Sequence, residues 1–303
     1  GWRRLVNEIV IPRGFGVVFI EDEIRRPTHV GDPVVLGPAD IDRTVGRLGH
    51  GEGVVAGGGR AAGVRLAVPG GVCREGVLHE RRARHHLRDS ILEWHPGANV
   101  MVLTDLPHGD QGGWANDWQV FEASPYRETI KLEADMWCAG PIDHWWNLFE
   151  TRDVVISQGA RNFYDQPAQS RFYRQLFDDN HLPDVYNAIT YWRRSATAQE
   201  FFGTVRDIFQ SWPDYQRLLR FPESQPSTDV VYAMAAQIMG VERVTLPPGL
   251  GPSIVHMKQH MIGTRTPDWT RELIWEFTRP GLRINTVAQW GLVHYHVKNW
   301  LEP

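Results

Sequence analysis

An α/β protein with a mainly parallel sheet flanked by helices is what this sequence predicts, and three observations carry the prediction. Strand-like and helix-like segments alternate from about residue 80 to 260. Asn99 to Asp105 is a continuous apolar run closed by an acid, the pattern of a strand buried on both faces. The helix before it stops at His95-Pro96-Gly97, so helix, stop and buried strand make half of a βαβ unit.

In chain order, Gly16 to Ile20 has the β-branched, apolar character of an opening strand and runs into the acids Glu21, Asp22 and Glu23. Arg25 to Gly71 holds turn signals, glycine-rich patches and short β-branched pieces, without a phosphate-binding G-x-x-x-x-G-K-[ST]. Residues 1–76 therefore read as an N-terminal segment, a first strand followed by a glycine-rich insertion or small subdomain. From 77 onward the pattern predicts a helix over Glu80 to Glu93, the strand Asn99 to Asp105, a polar loop Gly109 to Asp117 and a strand within Arg127 to Trp137. A short helix at Pro141 to Glu150, a strand at Asp153 to Ser157 and a helix at Gln169 to Asp178 follow. Asp184 to Trp192 reads as a strand, and Thr197 to Gln210 as a helix whose Phe201, Phe202, Val205 and Phe209 share a core-facing stripe. Thr228, as N-cap, opens a helix that Gly240 closes. Short strands at Arg243 to Leu246 and Ser253 to Met257 and a helix at Thr270 to Thr278 complete the reading.

The chain has 303 residues, enough for a large core, and 42% hydrophobic with 22% charged residues is the balance of a globular protein. No apolar run approaches the roughly 20 residues a membrane span needs, and the N-terminus lacks a signal-peptide pattern, so the expectation is a cytoplasmic protein without a membrane partner. Cys73 and Cys138 are too few for a disulfide framework or a cysteine zinc site. A net charge of -4 gives no global attraction to nucleic acid and leaves only a local basic face for that purpose. Twelve of the 13 tryptophans lie from Trp94 onward, and Lys131, Lys258 and Lys298 are the only lysines, which leaves few candidates for a lysine role.

Chemistry concentrates at strand ends. Thr129, Ile130 and Leu132 deliver Glu133 and Asp135 to the carboxyl end of a strand, where open α/β sheets bind ligands. Two carboxylates there are hard oxygen donors for a divalent cation, although an E-x-D by itself is common on solvated loops. Ile254 to Lys258 ends a later strand with His256 and Lys258 on one face, an imidazole for a cation and an ammonium for diphosphate oxygens. Asn187 in Tyr186-Asn187-Ala188-Ile189 could hydrogen-bond a polar substrate, and Asp229 stands at a helix start, where an acid is favourable in any case.

In this order the segments resemble the nucleotide-sugar glycosyltransferases of the Rossmann-type GT-A fold, in particular the glycogenin-like retaining group, over roughly Glu80 to Gly263. That group closes a buried strand with D-x-D, and here Glu133 takes the first acidic place, which makes Asp135 the safer ligand. Its F-N-A-G-V looks like Tyr186-Asn187-Ala188-Ile189-Thr190, its D-Q helix start like Asp229-Val230, and its H-x-x-G-x-x-K is matched loosely by His256, Lys258 and Gly263. The resemblance implies a 77–303 catalytic domain with an acceptor-side tail. It also implies Mn²⁺ or Mg²⁺ on Asp135, His256 and Glu133, and a nucleotide-sugar donor, UDP-sugar first. Asp105, Glu133, Lys258 and Gly263 would contact that donor, and Asp229 and Asn187 would face the reacting sugar.

LPDVYNAITYWRRS, FFGTVRDIF and HYHVKNW look similar to glycosyltransferases encoded by bacteriophages, some of which decorate hydroxymethylated pyrimidines in DNA. DNA carrying 5-hydroxymethylpyrimidines is then the favoured acceptor and host cytoplasm the location, with Arg171, Arg174, Arg193, Arg194, Arg217 and Arg220 as phosphate contacts if they share a surface. The alternatives are transfer to a glycan or protein, and a non-catalytic carbohydrate- or nucleic-acid-binding module that uses tryptophans as stacking platforms.

Overall fold

The computed structural model describes residues 86–103, 117–167, 174–221, 224–278, 281–297 and 300–301, with the backbone of Phe15–Ile20. The chain divides into Gly1–Glu23 with Arg74–Pro303, and Ile24–Cys73, and all the described residues belong to the first unit. Asp105, Arg171, Cys73 and the glycine-rich stretch lie outside the described residues.

The strands in chain order are β1 Phe15–Ile20, β2 Val100–Leu103, β3 Glu128–Glu133, β4 Met136–Cys138, β5 Val154–Ser157, β6 Gly159–Arg161, β7 Tyr186–Arg193, β8 Ser253–His256, β9 Trp275–Phe277, β10 Leu282–Ile284, β11 Val287–Ala288 and β12 Leu292–His294. The helices are α1 at residues 86–94, then α2 Val120–Ala123, α3 His144–Phe149, α4 Gln175–Asp179, α5 Ala196–Gln210, α6 Trp212–Leu219, α7 Thr228–Met239, α8 Val241–Val244 and α9 Gln259–Ile262.

The main sheet runs β2-β1-β3-β7-β5. β1 is parallel to both β2 and β3, while β7 is antiparallel to β3 and to β5, so one reversed strand interrupts an otherwise parallel set. Chain order turns around at β1, with β2 on one side and β3 on the other, which makes the carboxyl ends of these strands a topological switch point.

Alternation along the strands sorts the two faces. Val154, Ile156 and Trp192 pack with Phe201, Phe202, Val205 and Phe209 of α5 and with α7. Ile130, Leu132, Val155 and Tyr191 pack on the other face with Leu87 and Ile91 of α1 and Trp145 and Phe149 of α3. The aromatic stripe foreseen over Thr197 to Gln210 is thus core. Helix α7 begins one residue earlier than the sequence suggests: Ser227 is the N-cap and its hydroxyl accepts from the Val230 N–H, which leaves Thr228 in the first turn.

A second sheet, β4-β12-β8-β6, is joined to the first by the short turn between β3 and β4. β12 is antiparallel to β4 and parallel to β8. It has its own core of Val255, Met257, Trp269, Leu282, Val293, Tyr295 and Trp300, beside the antiparallel sheet β11-β10-β9.

Two local expectations are corrected. Arg243 to Leu246 is not a strand: Val241–Val244 is a helical turn in which Thr245 Oγ1 donates to the Val241 carbonyl. Thr270 to Thr278 is not a helix: a 3₁₀ turn at Trp269–Arg271 leads into β9, whose Trp275 and Phe277 join an aromatic cluster with Trp137 and Trp300. Cross-strand pairing in the tail outweighed a weak helical pattern. Among the described tryptophans, Trp145, Trp192, Trp212, Trp269 and Trp300 are buried in the core, while Trp290 is exposed.

Cys138 ends β4 with its thiol donating to the Gly140 carbonyl at 3.2 Å, and burial pushes its pKa up to about 12. In a Cys73→Ser background, iodoacetamide is therefore expected to leave Cys138 unmodified at pH 8 and to alkylate it on unfolding. Above pH 9 the unfolded thiol ionises while the folded one stays protonated, so this group's contribution to stability declines as pH rises toward 12. Alkylation of the native protein at the rate of a free thiol would contradict this placement.

Candidate active site

The E-A-D stretch is the turn by which the chain leaves one sheet and enters the other. Glu133 is the last residue of β3, paired in register with Ile20 of β1, and Asp135 precedes β4. Both acids consequently sit at the carboxyl end of β3, next to the switch point.

His294 faces them. Its Nε2 is 3.0 Å from Asp135 Oδ1 and 3.2 Å from Glu133 Oε2. The register of β12 produces this contact, because His294 pairs with Met136 on one side and with His256 on the other, and the Tyr295 N–H donates to the Asp135 carbonyl. β12 therefore lies between the acids and β8. His256, expected to complete the cation's shell, is on the far side of His294 at 5.1 Å between ring centroids, and His294 is the imidazole against the carboxylates.

His294 and His296 were not singled out from the sequence. Their signal was the H-x-H spacing in HYHVKNW, the same alternate-residue presentation that marked Glu133 with Asp135 and His256 with Lys258.

Burial pushes the Glu133 carboxyl above the usual carboxylate range. Asp135 and Asp229 reinforce the shift, while His294 and Lys131 oppose it. Burial, together with His296, His294, Lys258 and Arg174, holds the His256 imidazole well below its ordinary value.

One ligand atom each from Glu133, Asp135 and His294 lies within 4.8 Å of the others. Around an octahedral cation with bonds of 2.0–2.1 Å, adjacent donors stand about 2.9 Å apart. The 3.0 and 3.2 Å separations are already close to that value, and two carboxylates with one imidazole suit Mg²⁺ or Mn²⁺. These residues fit a hard divalent cation.

A buried polar network supports the site from the α7 side of the sheet. Asp229 Oδ1 accepts from the Asn187 backbone N–H at 2.8 Å and its Oδ2 from Arg174 Nη1 at 3.0 Å. Arg174 also donates to Asp184 at 2.7 Å and to the Val185 carbonyl, and its guanidinium stacks on Phe177 and Tyr186. Asp229 is therefore an oriented carboxylate, with about a third of its side chain exposed at 31%. The Asn187 side chain is fully buried and its Nδ2 donates to Asp117 Oδ2 at 3.1 Å, so this amide serves the network inside the fold. Asp117 in turn is ion-paired with Lys131 at 3.1 Å, both side chains being 2% exposed.

Lys258, half-buried, follows β8 and is the N-cap of α9; Gly263 closes that helix at φ +72°, a left-handed position that favours glycine. Three of the arginines considered as phosphate contacts are engaged within the fold. Arg174 is inside the fold, Arg193 is paired with Asp153 at 2.7 Å, and Arg194 donates to the carbonyls of Phe121 and Ser124.

No family model and no curated protein matches the chain. Among solved structures, it is similar to a glycosyltransferase involved in the glycosylation of the major capsid of PBCV-1, with 11% identity and a TM-score of 0.37 over 73% of this chain and 87% of the other. It is also similar to the glycosyltransferase GlyE of Streptococcus pneumoniae TIGR4, with 10% identity and a TM-score of 0.33 over 73% of this chain and 47% of the other. In its apo form, GlyE matches at 10% identity and a TM-score of 0.29 over 58% of this chain and 37% of the other, so this chain spans less than half of GlyE. At these values the activity has to be read from the chain's own site.

Proposed function

We propose that the chain is a metal-dependent glycosyltransferase of GT-A type that uses a nucleotide-sugar donor. The observation that carries the reading is the convergence of Glu133, Asp135 and His294 at the carboxyl end of β3, beside the switch point of the main sheet.

These three residues would hold Mn²⁺ or Mg²⁺, which when bound supplies positive charge to a leaving diphosphate. Lys258 follows β8 and would place a second positive charge on the same leaving group. Asp229, fixed by Arg174 and the Asn187 N–H, would hold negative charge toward the sugar as its anomeric carbon becomes cationic. The partly exposed Phe277, against Trp137 of β4, offers an aromatic surface on the acceptor side. We assign residues 77–303 together with β1 to the catalytic domain and Ile24–Cys73 to an insertion.

The acceptor to test first is DNA with 5-hydroxymethylpyrimidines, on the sequence resemblance to phage enzymes. Arg174 is buried inside the fold and Arg193 is paired with Asp153, which weakens the basic face this acceptor calls for, and transfer to a glycan or protein is the second reading.

The test incubates the protein with a panel of nucleotide sugars, UDP-sugars included, with and without Mn²⁺, and measures nucleoside diphosphate release. The same reactions with 5-hydroxymethylcytosine DNA or a glycan are then read for a hexose mass gain. Metal-dependent release is expected, and its absence with every donor would remove the glycosyltransferase reading. Mass gain on the glycan alone would remove the DNA acceptor.

A further inference from the structure

Behind the acid-facing side of His294 lies a second group of ligands. His256, His294 and His296 each place a ring nitrogen within 4.8 Å of the others, and the first two are buried while His296 is half-buried. We propose that this three-histidine group is a second cation site, selective for a borderline metal of the Zn²⁺ class and sharing His294 with the carboxylate site.

Three features argue for a built site. The first is register: His294 and His256 are paired neighbours on parallel strands, so their side chains leave the same face of the second sheet. The second is the backbone at His296, a non-glycine residue at φ +59°. A left-handed conformation costs a non-glycine residue free energy and persists where the surroundings impose it. Here it accompanies a ring 3.8 Å from His294 and 4.5 Å from His256, measured between centroids.

The third is spacing. Bonds of 2.0–2.1 Å in a tetrahedral shell hold nitrogens about 3.3 Å apart. His256 Nδ1 and His296 Nε2 share a hydrogen bond at 3.2 Å, so a cation that displaces the shared proton can be reached by turning the rings, with little change in their separation.

The chemistry separates the two sites. Three imidazoles with no carboxylate suit Zn²⁺ and its neighbours, whereas Glu133 and Asp135 with one imidazole suit Mg²⁺ or Mn²⁺. Because His294 belongs to both groups, filling one site with a tightly bound metal would take a ligand from the other. Zn²⁺ is then an antagonist of Mn²⁺ binding by competition for one side chain. This does not depend on sugar transfer, since it concerns cation binding alone.

The experiment titrates the 303-residue chain with Co²⁺, followed by its visible absorption, and with Zn²⁺ as competitor. The variants are His296→Asn, whose new side chain tolerates the left-handed backbone, His256→Gln and Asp135→Asn, with circular dichroism to confirm folding. One equivalent of Co²⁺ is expected to give intense visible bands that Zn²⁺ abolishes. Asp135→Asn should retain them, and His296→Asn should weaken binding by at least about 100-fold, the upper end of the loss caused by removing an outer-shell partner. Bands unchanged in folded His296→Asn and His256→Gln, or lost in Asp135→Asn, would overturn the proposal. Failure of donor hydrolysis with these results intact would count against the glycosyltransferase reading alone.

Discussion

Asp135→Asn is expected to lower Mn²⁺-dependent donor hydrolysis by at least about 100-fold in kcat/KM, equivalent to about 2.7 kcal/mol of transition-state stabilisation. The substitution keeps the shape of the side chain and removes the charge that faces His294 Nε2 at 3.0 Å. A smaller loss is expected for Glu133→Gln. Glu133 stands 3.2 Å from the same nitrogen, and its carboxyl is pushed up by burial, so the proton competes with a cation for its oxygen more effectively than at an ordinary carboxylate. His294→Ala should fall with Asp135→Asn, whereas His256→Gln should leave Mn²⁺ binding closer to wild type, because β12 keeps His256 away from the acids. Donor hydrolysis across a Mn²⁺ titration, at matched folded fractions, gives the order. Activity of Asp135→Asn within threefold of wild type would place the chemistry elsewhere.

That ordering differs from the sequence-based one in its histidine, because His294 and not His256 lies against the two acids. Local pattern made the acids at the end of β3 legible: an apolar run has a definite end, and in an α/β sheet the carboxyl end is the ligand end. It also made α5 and α7 legible, through a stripe of phenylalanines and a capped apolar run. Which histidine reaches the acids depends on strand order in the second sheet, and β12 enters between β4 and β8 from the far end of the chain. A three-residue strand in a tail carries too little periodicity to announce such a placement. The corrections at Val241–Val244 and Trp275–Phe277 have the same origin, because a segment of three or four residues fits either state until its tertiary contacts decide. Asn187 shows the complementary case. Its position at the start of β7 was legible, but the burial of its amide against Asp117, a residue 70 positions earlier in the chain, is a tertiary contact that no local pattern announces.

The polar network beneath the site sets the largest expected effect on stability. Alternation in β3 sends Ile130 and Leu132 to the α1 face and leaves Lys131 on the α7 face, where its ammonium meets Asp117 at 3.1 Å and donates to the Asn187 carbonyl at 3.3 Å. Both charged side chains are almost fully buried, so neither can recover hydration if the other is removed. Lys131→Met is therefore expected to destabilise the fold by about 3–5 kcal/mol, chiefly through the uncompensated Asp117 carboxylate. If that is the cause, removing the remaining charge should repair most of the damage. Lys131→Met with Asp117→Asn leaves a carbonyl oxygen to accept from Asn187 Nδ2, as Asp117 Oδ2 does, and should regain more than half of the lost stability. Urea unfolding of the wild type, both single variants and the double variant measures this coupling. Additive losses in the double variant would mean that Lys131 acts through packing and that its pairing with Asp117 contributes little. Recovery would tie the site to the core, because Asn187 belongs to this network through its side chain and to the Asp229 carboxylate through its backbone N–H. The acid that faces the sugar in the proposed reaction is then held in place, through Asn187, by the buried ion pair between Lys131 of β3 and Asp117.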